Sequence, residues 1–338
     1  MNAITPRPPF RFVALLIMCL VPAAAAGQIP QFDSFYVFGD SLADNGNVLI
    51  QSGALGMNPP VPPSATPHRT YFDGRFSNGY IGFEYLWQRL TGHQPGSALA
   101  LKPFLAAPFR QQRGPIDFAF GGTGTAYVDQ TPGGFWAPGL RGQVELFRMA
   151  LRGKKPSTRS LYAIATGAND YRVDPFNIPM NPVDVVRNME EAIARLYQLG
   201  ARDVIVLDLP DLGLIPANGG DPQASAISAA HNSELDSALA ALQARYPKLH
   251  LIPVKLNPLF EDLRLRMESR IPALDVFAPL TPGLSVCLFI NPAACSDAPD
   301  FLFNGNFGFL FWDVVHPTTE VHQSLADYLF DRLASEYE

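Results

Sequence analysis

The chain has 338 residues, 47% of them hydrophobic, with 25 Lys and Arg against 31 Asp and Glu. A formal net charge of −6 points away from a nucleic-acid partner, and the apolar content supplies a sizeable core. Residues 1–26 read as a cleaved secretory signal. Arg7 and Arg11 make a positive start, 12–21 is an apolar run, and Ala23-Ala24-Ala25-Ala26 offers a cleavage site near Ala26/Gly27. The run is too short to span a bilayer and no second long apolar stretch follows, so no transmembrane segment is expected in the mature chain. Cys19, preceded by the bulky Met18, does not fit a lipoprotein site. Losing Arg7 and Arg11 leaves 23 basic residues against 31 acidic ones, a net charge near −8. Residues 27–338 are expected to form a single α/β domain, exported to the periplasm or the medium. No segment of alternating strands follows Glu338, and no attached outer-membrane barrel is expected.

Short apolar runs at 36–38, 116–120, 160–166, 204–208 and 249–254 read as strands. Helical periodicity covers 79–90, 144–151, 183–199, 224–246 and 317–335. In the third, Val186, Met189, Ile193, Leu196 and Leu199 recur on one face. The fourth is entered through Asp221-Pro222, a cap followed by proline at the first turn. Strands alternating with helices imply βαβ units and a mostly parallel sheet with helices on both faces. The Pro-rich stretch 59–67 reads as a long surface loop. Cys287 and Cys295 lie close together in a Pro/Ala-rich segment; in an exported protein they read as a disulfide rather than a metal site.

Phe35-Tyr36-Val37-Phe38 runs directly into Gly39-Asp40-Ser41-Leu42. This sets Ser41 just past a strand's carboxyl end, where open parallel sheets put their ligand crevices. A serine hydroxyl becomes a nucleophile when a base takes its proton, and the base needs an orienting acid. Asp313-Val314-Val315-His316 supplies both, ahead of the last helix. Asp313 can fold back on His316 and leave its other ring nitrogen for Ser41. Donors for a tetrahedral oxyanion are offered by the backbone N–H of Gly122 and by the side-chain amide of Asn169. Alone, Ser41 would be a turn residue or helix cap, Asn169 an Asx-turn former, Gly122 a glycine of backbone geometry and His316 a helix-start histidine. Together, at strand ends and a helix start on one edge of a sheet, they point to a catalytic site. Asp40 and Asp44 read as caps of the following helix and supports of the serine loop. His322 reads as a structural hydrogen-bonding residue, and His68, His93, His231 and His250, with no acid nearby in sequence, as surface or helix residues.

In this order, Phe38-Gly39-Asp40-Ser41-Leu42, Gly121-Gly122, Gly167-Ala168-Asn169-Asp170 and Asp313-Val314-Val315-His316 resemble the blocks of the GDSL or SGNH family of serine esterases and lipases. Gly74-Arg75-Phe76-Ser77-Asn78-Gly79 and Gly142-Gln143-Val144 resemble its spacers, so the similarity runs from about residue 35 to the C-terminus. The resemblance implies Ser41 as nucleophile, His316 as base, Asp313 as its partner, and an oxyanion hole made by the Ser41 N–H, the Gly122 N–H and Asn169. It also implies a three-layer α/β/α fold around a flavodoxin-like five-stranded sheet, an ester substrate (a lipid or small acyl ester), and no metal or organic cofactor. Two features depart from the family. Asp117 stands where an Asn often precedes the glycine pair. The aromatic segment 301–310 lengthens the run into the Asp–His block, and reads equally as the wall of an acyl pocket or as a surface hairpin.

Rival readings fit less well. A metallophosphoesterase would use Asp40, Asp44, Asn169, His316 and His322, but the second Asp comes one residue late and the Asn block lacks its His. No Gly-x-Ser-x-Gly elbow of the larger α/β-hydrolases is present, since Gly283-Leu284-Ser285-Val286-Cys287 lacks the final Gly. The glycines at 121–124 have no Lys after them, which removes a P-loop. A non-catalytic binding protein on the same fold would not need all five site residues. Acyl transfer and carbohydrate O-acetyl ester cleavage stay open as alternatives on the same site.

Overall fold

A computed structural model describes residues 29–107, 114–172, 179–270, 279, 291–305 and 308–338; the expected leader and Cys287 lie outside them. At its centre is β1 (Ser34–Gly39), buried along its whole length. β1 pairs in parallel with β6 (Ser160–Ala165), in register from Ser34↔Ser160 to Gly39↔Ala165. Its other edge pairs in parallel with β3 (Ile116–Asp117). Outward from β3 lies β2 (Lys102–Pro103), and outward from β6 lie β7 (Asp203–Leu207) and β8 (His250–Val254). The sheet therefore runs β2-β3-β1-β6-β7-β8, parallel throughout. A separate antiparallel hairpin joins β4 (Asp129–Gln130) to β5 (Trp136–Ala137).

Strands covered on both faces need apolar residues at every position, which is why the central ones read as continuous hydrophobic runs. Phe35, Val37, Leu161, Ala163 and Ile205 enter one core with α2 (Gly82–Thr91), α6 (Leu256–Arg270) and α7 (Thr319–Glu336). Tyr36, Phe38, Tyr162, Ile164 and Val204 enter the other with α3 (Leu140–Leu151), α4 (Pro182–Leu199) and α5 (Pro222–Arg245). The result is the three-layer α/β/α arrangement. Among the described residues its sheet has six strands rather than five. The sixth, β2, is two residues long and contains Pro103, so it carries no periodic signal and sits on an edge, where proline is tolerated. The ladder of β3 continues beyond Asp117, since the Phe118 N–H donates to Val37 O (2.7 Å) and the Phe120 N–H to Gly39 O (3.2 Å).

Two helices lie outside the segments read from periodicity, one capped locally and the other from a distant strand end. α1 (Asn47–Ala54) starts where the Asp44 carboxylate accepts the N–H groups of Gly46 (2.8 Å), Asn47 (2.6 Å) and Val48 (3.1 Å). α6 starts where the Leu256 N–H donates to Asp208 Oδ1 (2.8 Å), beyond the end of β7. The stretch 59–67 is not wholly a surface loop. Val61 is buried because Ser52 Oγ accepts its N–H (2.8 Å), satisfying a backbone donor that burial would otherwise strand. No helix among the described residues is long and apolar enough to cross a membrane. β1 and β6 are neighbours whose connections leave to opposite sides, and the crevice beyond their carboxyl ends is the topological switch point.

Candidate active site

Ser41 stands in that crevice, half-buried, two residues past Gly39. The close approach of β1 and β6 demands glycine at 39: a Cβ there would lie 2.3 Å from the Ala165 carbonyl oxygen. The turn is tied down by the Asp40 N–H to Ala165 O (3.2 Å) and by Asp40 Oδ1, which accepts the Leu42 N–H at 3.1 Å. Burial pushes the Asp40 carboxyl up to about 7, with the Leu42 N–H and nearby His316 pulling the other way. Asp44 Oδ2 accepts the Gly121 N–H (2.9 Å), joining the serine turn to the glycine pair. Asp44 thus caps α1 and braces the glycine pair, while Asp40 braces the serine turn without capping a helix.

The Asp313–His316 turn reaches the same place from the far end of the chain. Trp312 N–H donates to His316 O (2.7 Å) and Thr318 N–H to Leu310 O (3.0 Å), folding the segment into a tight loop. Within it Asp313 Oδ1 accepts the N–H groups of Val315 (2.8 Å) and His316 (2.7 Å), an Asx-turn that fixes the carboxylate. Its other oxygen meets His316 Nδ1 at 2.7 Å, and His316 Nε2 lies 2.9 Å from Ser41 Oγ. Tyr71 donates its hydroxyl to the same Asp313 Oδ2 (2.7 Å). Burial alone would raise the Asp313 pKa, but His316, Tyr71 and the Val315 N–H outweigh it and hold the group below its ordinary value. The Phe76 ring covers His316, with 5.1 Å between ring centres.

Gly122 holds φ +78°, a left-handed conformation, and a Cβ on it would meet Pro132 Cδ at 2.6 Å. Among the described residues neither the Ser41 N–H nor the Gly122 N–H donates to a protein acceptor, whereas the flanking Gly121 and Thr123 N–H groups both do. Asn169 Nδ2 donates to Thr123 O (3.1 Å) while Asn169 Oδ1 accepts from Arg172 Nη1 (3.1 Å). Arg172 also reaches Gly122 O at 3.3 Å, so one guanidinium touches two of the three expected oxyanion donors' residues. Asp170, pushed up to about 6 by burial, accepts from the Thr125 N–H and hydroxyl and so holds the loop after Gly122. Ser41, Gly122, Asn169 and His316 all line one cavity of about 170 Å³, with Asp313 directly behind His316.

Tyr71, Thr125 and Arg172 support this cluster without a signal of their own in the sequence, and Gln143 shows there only as part of a spacer. Each acts through contacts remote in the chain, and the Gln143 block and the residues beside the Asn169 block were the only signals pointing near them. The other histidines divide, His322 and His231 as expected and His250 not. His322 accepts the Gly82 N–H at Nδ1 (3.2 Å), a structural bond. His231 is a buried helix residue facing the Tyr171 hydroxyl (2.8 Å). His250 does have acid partners, Asp203 at 3.0 Å and Glu336 at 3.3 Å, brought to it by the sheet and the last helix. The segment 301–310 neither lines this cavity nor forms a hairpin among its described residues: Phe303 packs on Trp312 and Leu310 is buried in the core. Cys295 is disulfide-bonded, while Cys287 lies outside the described residues. Among the described residues no three His, Cys, Asp or Glu side chains converge as a metal cluster.

The profile of the GDSL-like Lipase/Acylhydrolase family matches residues 35–329. A phosphatidylcholine-sterol acyltransferase of Aeromonas hydrophila is 27% identical over 361 residues, covering 97% of this chain and 98% of its own length. A GDSL esterase/lipase of Arabidopsis thaliana is 26% identical over 360 residues, covering 95% and 96%. A solved carbohydrate acetylesterase from Sinorhizobium meliloti matches with a TM-score of 0.43 at 14% identity, covering 90% of this chain and 100% of that one. With the profile spanning most of the sequence, the chain belongs to the GDSL-like lipase/acylhydrolase family and is a carboxylic ester hydrolase.

Proposed function

We propose that the protein is an exported serine hydrolase that cleaves lipid acyl esters through an acyl-serine intermediate. The observation that supports this best is the unbroken relay from Ser41 Oγ to His316 Nε2 (2.9 Å) and from His316 Nδ1 to Asp313 Oδ2 (2.7 Å). In this reading His316 takes the Ser41 proton as Oγ attacks the ester carbonyl. The oxyanion is held by the Ser41 N–H, the Gly122 N–H and the Asn169 amide. Collapse expels the alcohol, which receives the proton from His316. Water, deprotonated by the same histidine, then attacks the acyl-serine, and His316 returns that proton to Ser41 Oγ as the acid leaves. Asp313 stays ionised throughout and stabilises the imidazolium.

An acceptor alcohol in place of water would give acyl transfer. This second reading is favoured by the relative named a phosphatidylcholine-sterol acyltransferase, which aligns over 97% of the chain, and by the many apolar side chains around the cavity. Residues 1–26 serve as the cleaved leader in this account, and 27–338 as one hydrolase domain exported to the periplasm or the medium; N-terminal sequencing of the protein recovered outside the cytoplasm checks the cut.

The central test is Ser41→Ala. Ester hydrolysis should fall by more than about 10⁴-fold, with circular dichroism and melting temperature unchanged. Undiminished turnover, or turnover that only a chelator removes, overturns the proposal.

A further inference from the structure

Among the described residues the site cavity shares walls with two others. Its side nearest β7 and α6 is formed by Leu42, Leu207, Ile215, Leu256 and Val315, and each of these also faces a second cavity behind them. That second space lies in the core between α2, α6 and α7, bounded further in by Phe83, Leu259, Val321 and Leu325. Among the described residues its one titratable side chain is His322, whose Nδ1 is already engaged by the Gly82 N–H. Phe260 and Phe311 then separate it from a third cavity, which reaches the polar residues Asp211, Asn257 and Glu261. Pro210 and Ile215 face all three.

Protein cores are close-packed, and an apolar void forfeits contacts on its lining. Apolar cavities stay dry and take apolar guests. A void of this kind directly behind the serine turn has one occupant that arrives with the chemistry: the hydrocarbon tail of the ester held at Ser41. Leu42, the residue after Ser41, is part of the shared wall with Ile215, Leu256 and Val315, so only apolar side chains stand between the reacting carbonyl and the second cavity. We propose that the acyl chain of the substrate runs from Ser41 past Ile215 into the apolar cavity between α2, α6 and α7, and that Ile215 and Phe260 set the acyl length accepted. This rests on the serine-hydrolase reading and adds to it a direction for the acyl chain and a chain-length rule.

The test is kcat/KM for p-nitrophenyl esters from acetyl to dodecanoyl, together with methyl decanoate against decyl acetate. Each methylene that enters the cavity should raise kcat/KM about three- to fourfold, up to the length at which Phe260 stops the chain. Methyl decanoate should be preferred to decyl acetate, because the cavity takes the acyl and not the alcohol chain. Ile215→Trp, which fills the junction, should lower the ratio of decanoyl to acetyl turnover at least about tenfold, and Phe260→Ala should move the optimum to longer chains. If Ile215→Trp does not fold, Phe260→Ala and the wild-type series decide. A wild-type optimum at acetate, a preference for decyl acetate, or a decanoyl-to-acetyl ratio unmoved in a folded Ile215→Trp overturns the channel. Loss of every Ser41-dependent hydrolysis, acetate included, would instead sink the underlying hydrolase reading, whereas Ser41-dependent acetate cleavage without gain from longer chains sinks the channel alone.

Discussion

Gln143 and Gly39 exchange two hydrogen bonds: the Gly39 N–H donates to Gln143 Oε1 at 2.8 Å, and Gln143 Nε2 donates to the Gly39 carbonyl at 2.8 Å. A fully buried side chain from the start of α3 thus holds the last residue of β1 as a neighbouring strand would, two residues before Ser41. Gln143 Nε2 also reaches the Pro138 carbonyl (3.0 Å), tying the turn to the entry of its own helix. Gln143→Leu strands the buried Gly39 N–H, and each such group costs about 1–3 kcal/mol. We expect urea titrations to give an unfolding free energy lower by about 2–4 kcal/mol, with kcat reduced because the serine turn loses its anchor. Gln143→Glu should be no better, since a carboxylate cannot donate to Gly39. If Gln143→Leu keeps both stability and kcat, the pairing does not hold the turn.

Tyr71 and His316 share one oxygen of Asp313. Burial and the adjacent carboxylate push the Tyr71 phenol well above its ordinary pKa, so it donates at every working pH. Tyr71→Phe leaves that oxygen with His316 alone. A hydrogen bond to a charged group contributes about 1.5–3 kcal/mol, which corresponds to a fall of about ten- to a hundredfold in kcat if the carboxylate acts only through the histidine. KM should change little. Asp313→Asn disturbs the tautomer itself and should cost about 10⁴-fold. Steady-state kinetics of the two variants on one soluble ester separates these outcomes, and equal losses would contradict the ranking.

The parts legible in the sequence are those whose physics is local or fully buried. Phe35 to Phe38 had to be apolar on both faces, so β1 announced itself, and Asp313 and His316 lie within one turn of each other. Elements whose cause lies elsewhere in the chain stayed hidden. α6 takes its cap from Asp208, β2 exists only as an edge on β3, and His250 meets Glu336 through the packing of α7 on β8. Gln143 was visible as a spacer, yet its function depends on Gly39, 104 residues earlier. Val61 was hidden by its prolines: a run that reads as exposed loop is buried because one serine satisfies its backbone.

Gly122 offers a sharper test of the oxyanion geometry than side-chain deletion does. At φ +78° an alanine is strained by about 1–2 kcal/mol, and its Cβ would also press on Pro132 Cδ at 2.6 Å. Relief by rotating the peptide would turn the 122 N–H from the direction that the proposed oxyanion hole requires. Gly122→Ala should therefore lower kcat about 10²-fold or more, with a smaller loss of stability than of rate. A variant whose melting temperature drops while kcat is retained would remove Gly122 from the oxyanion hole.

The buried carboxylates set a pH dependence of stability whose sign can be worked out. Asp40 is pushed up to about 7, and Asp44 and Asp170 to about 6, each chiefly by burial; Asp117 is also raised, by burial and by the charge of Asp44. A carboxyl with a raised folded pKa holds its proton in the native state where the unfolded chain, at about 3.9, has already lost it. Its contribution is complete below that unfolded value and is lost as pH rises through the folded one. His231 and His322 act oppositely, because burial lowers them to about 4 and about 3 and they cost stability as pH falls below about 6.5. The two sets offset each other between about pH 4 and 6.5. Asp313, held low, acts only below its ordinary range. Above about pH 7, where His231 and His322 have mostly lost their protons in the unfolded chain as well, Asp40 with Asp117 should make the unfolding free energy decline toward pH 8. Asp40→Asn keeps an oxygen for the Leu42 N–H and removes one titrating group, so its decline should be shallower. Urea titrations of both proteins from pH 6 to 8 decide this: identical slopes would mean that Asp40 is already ionised in the folded protein.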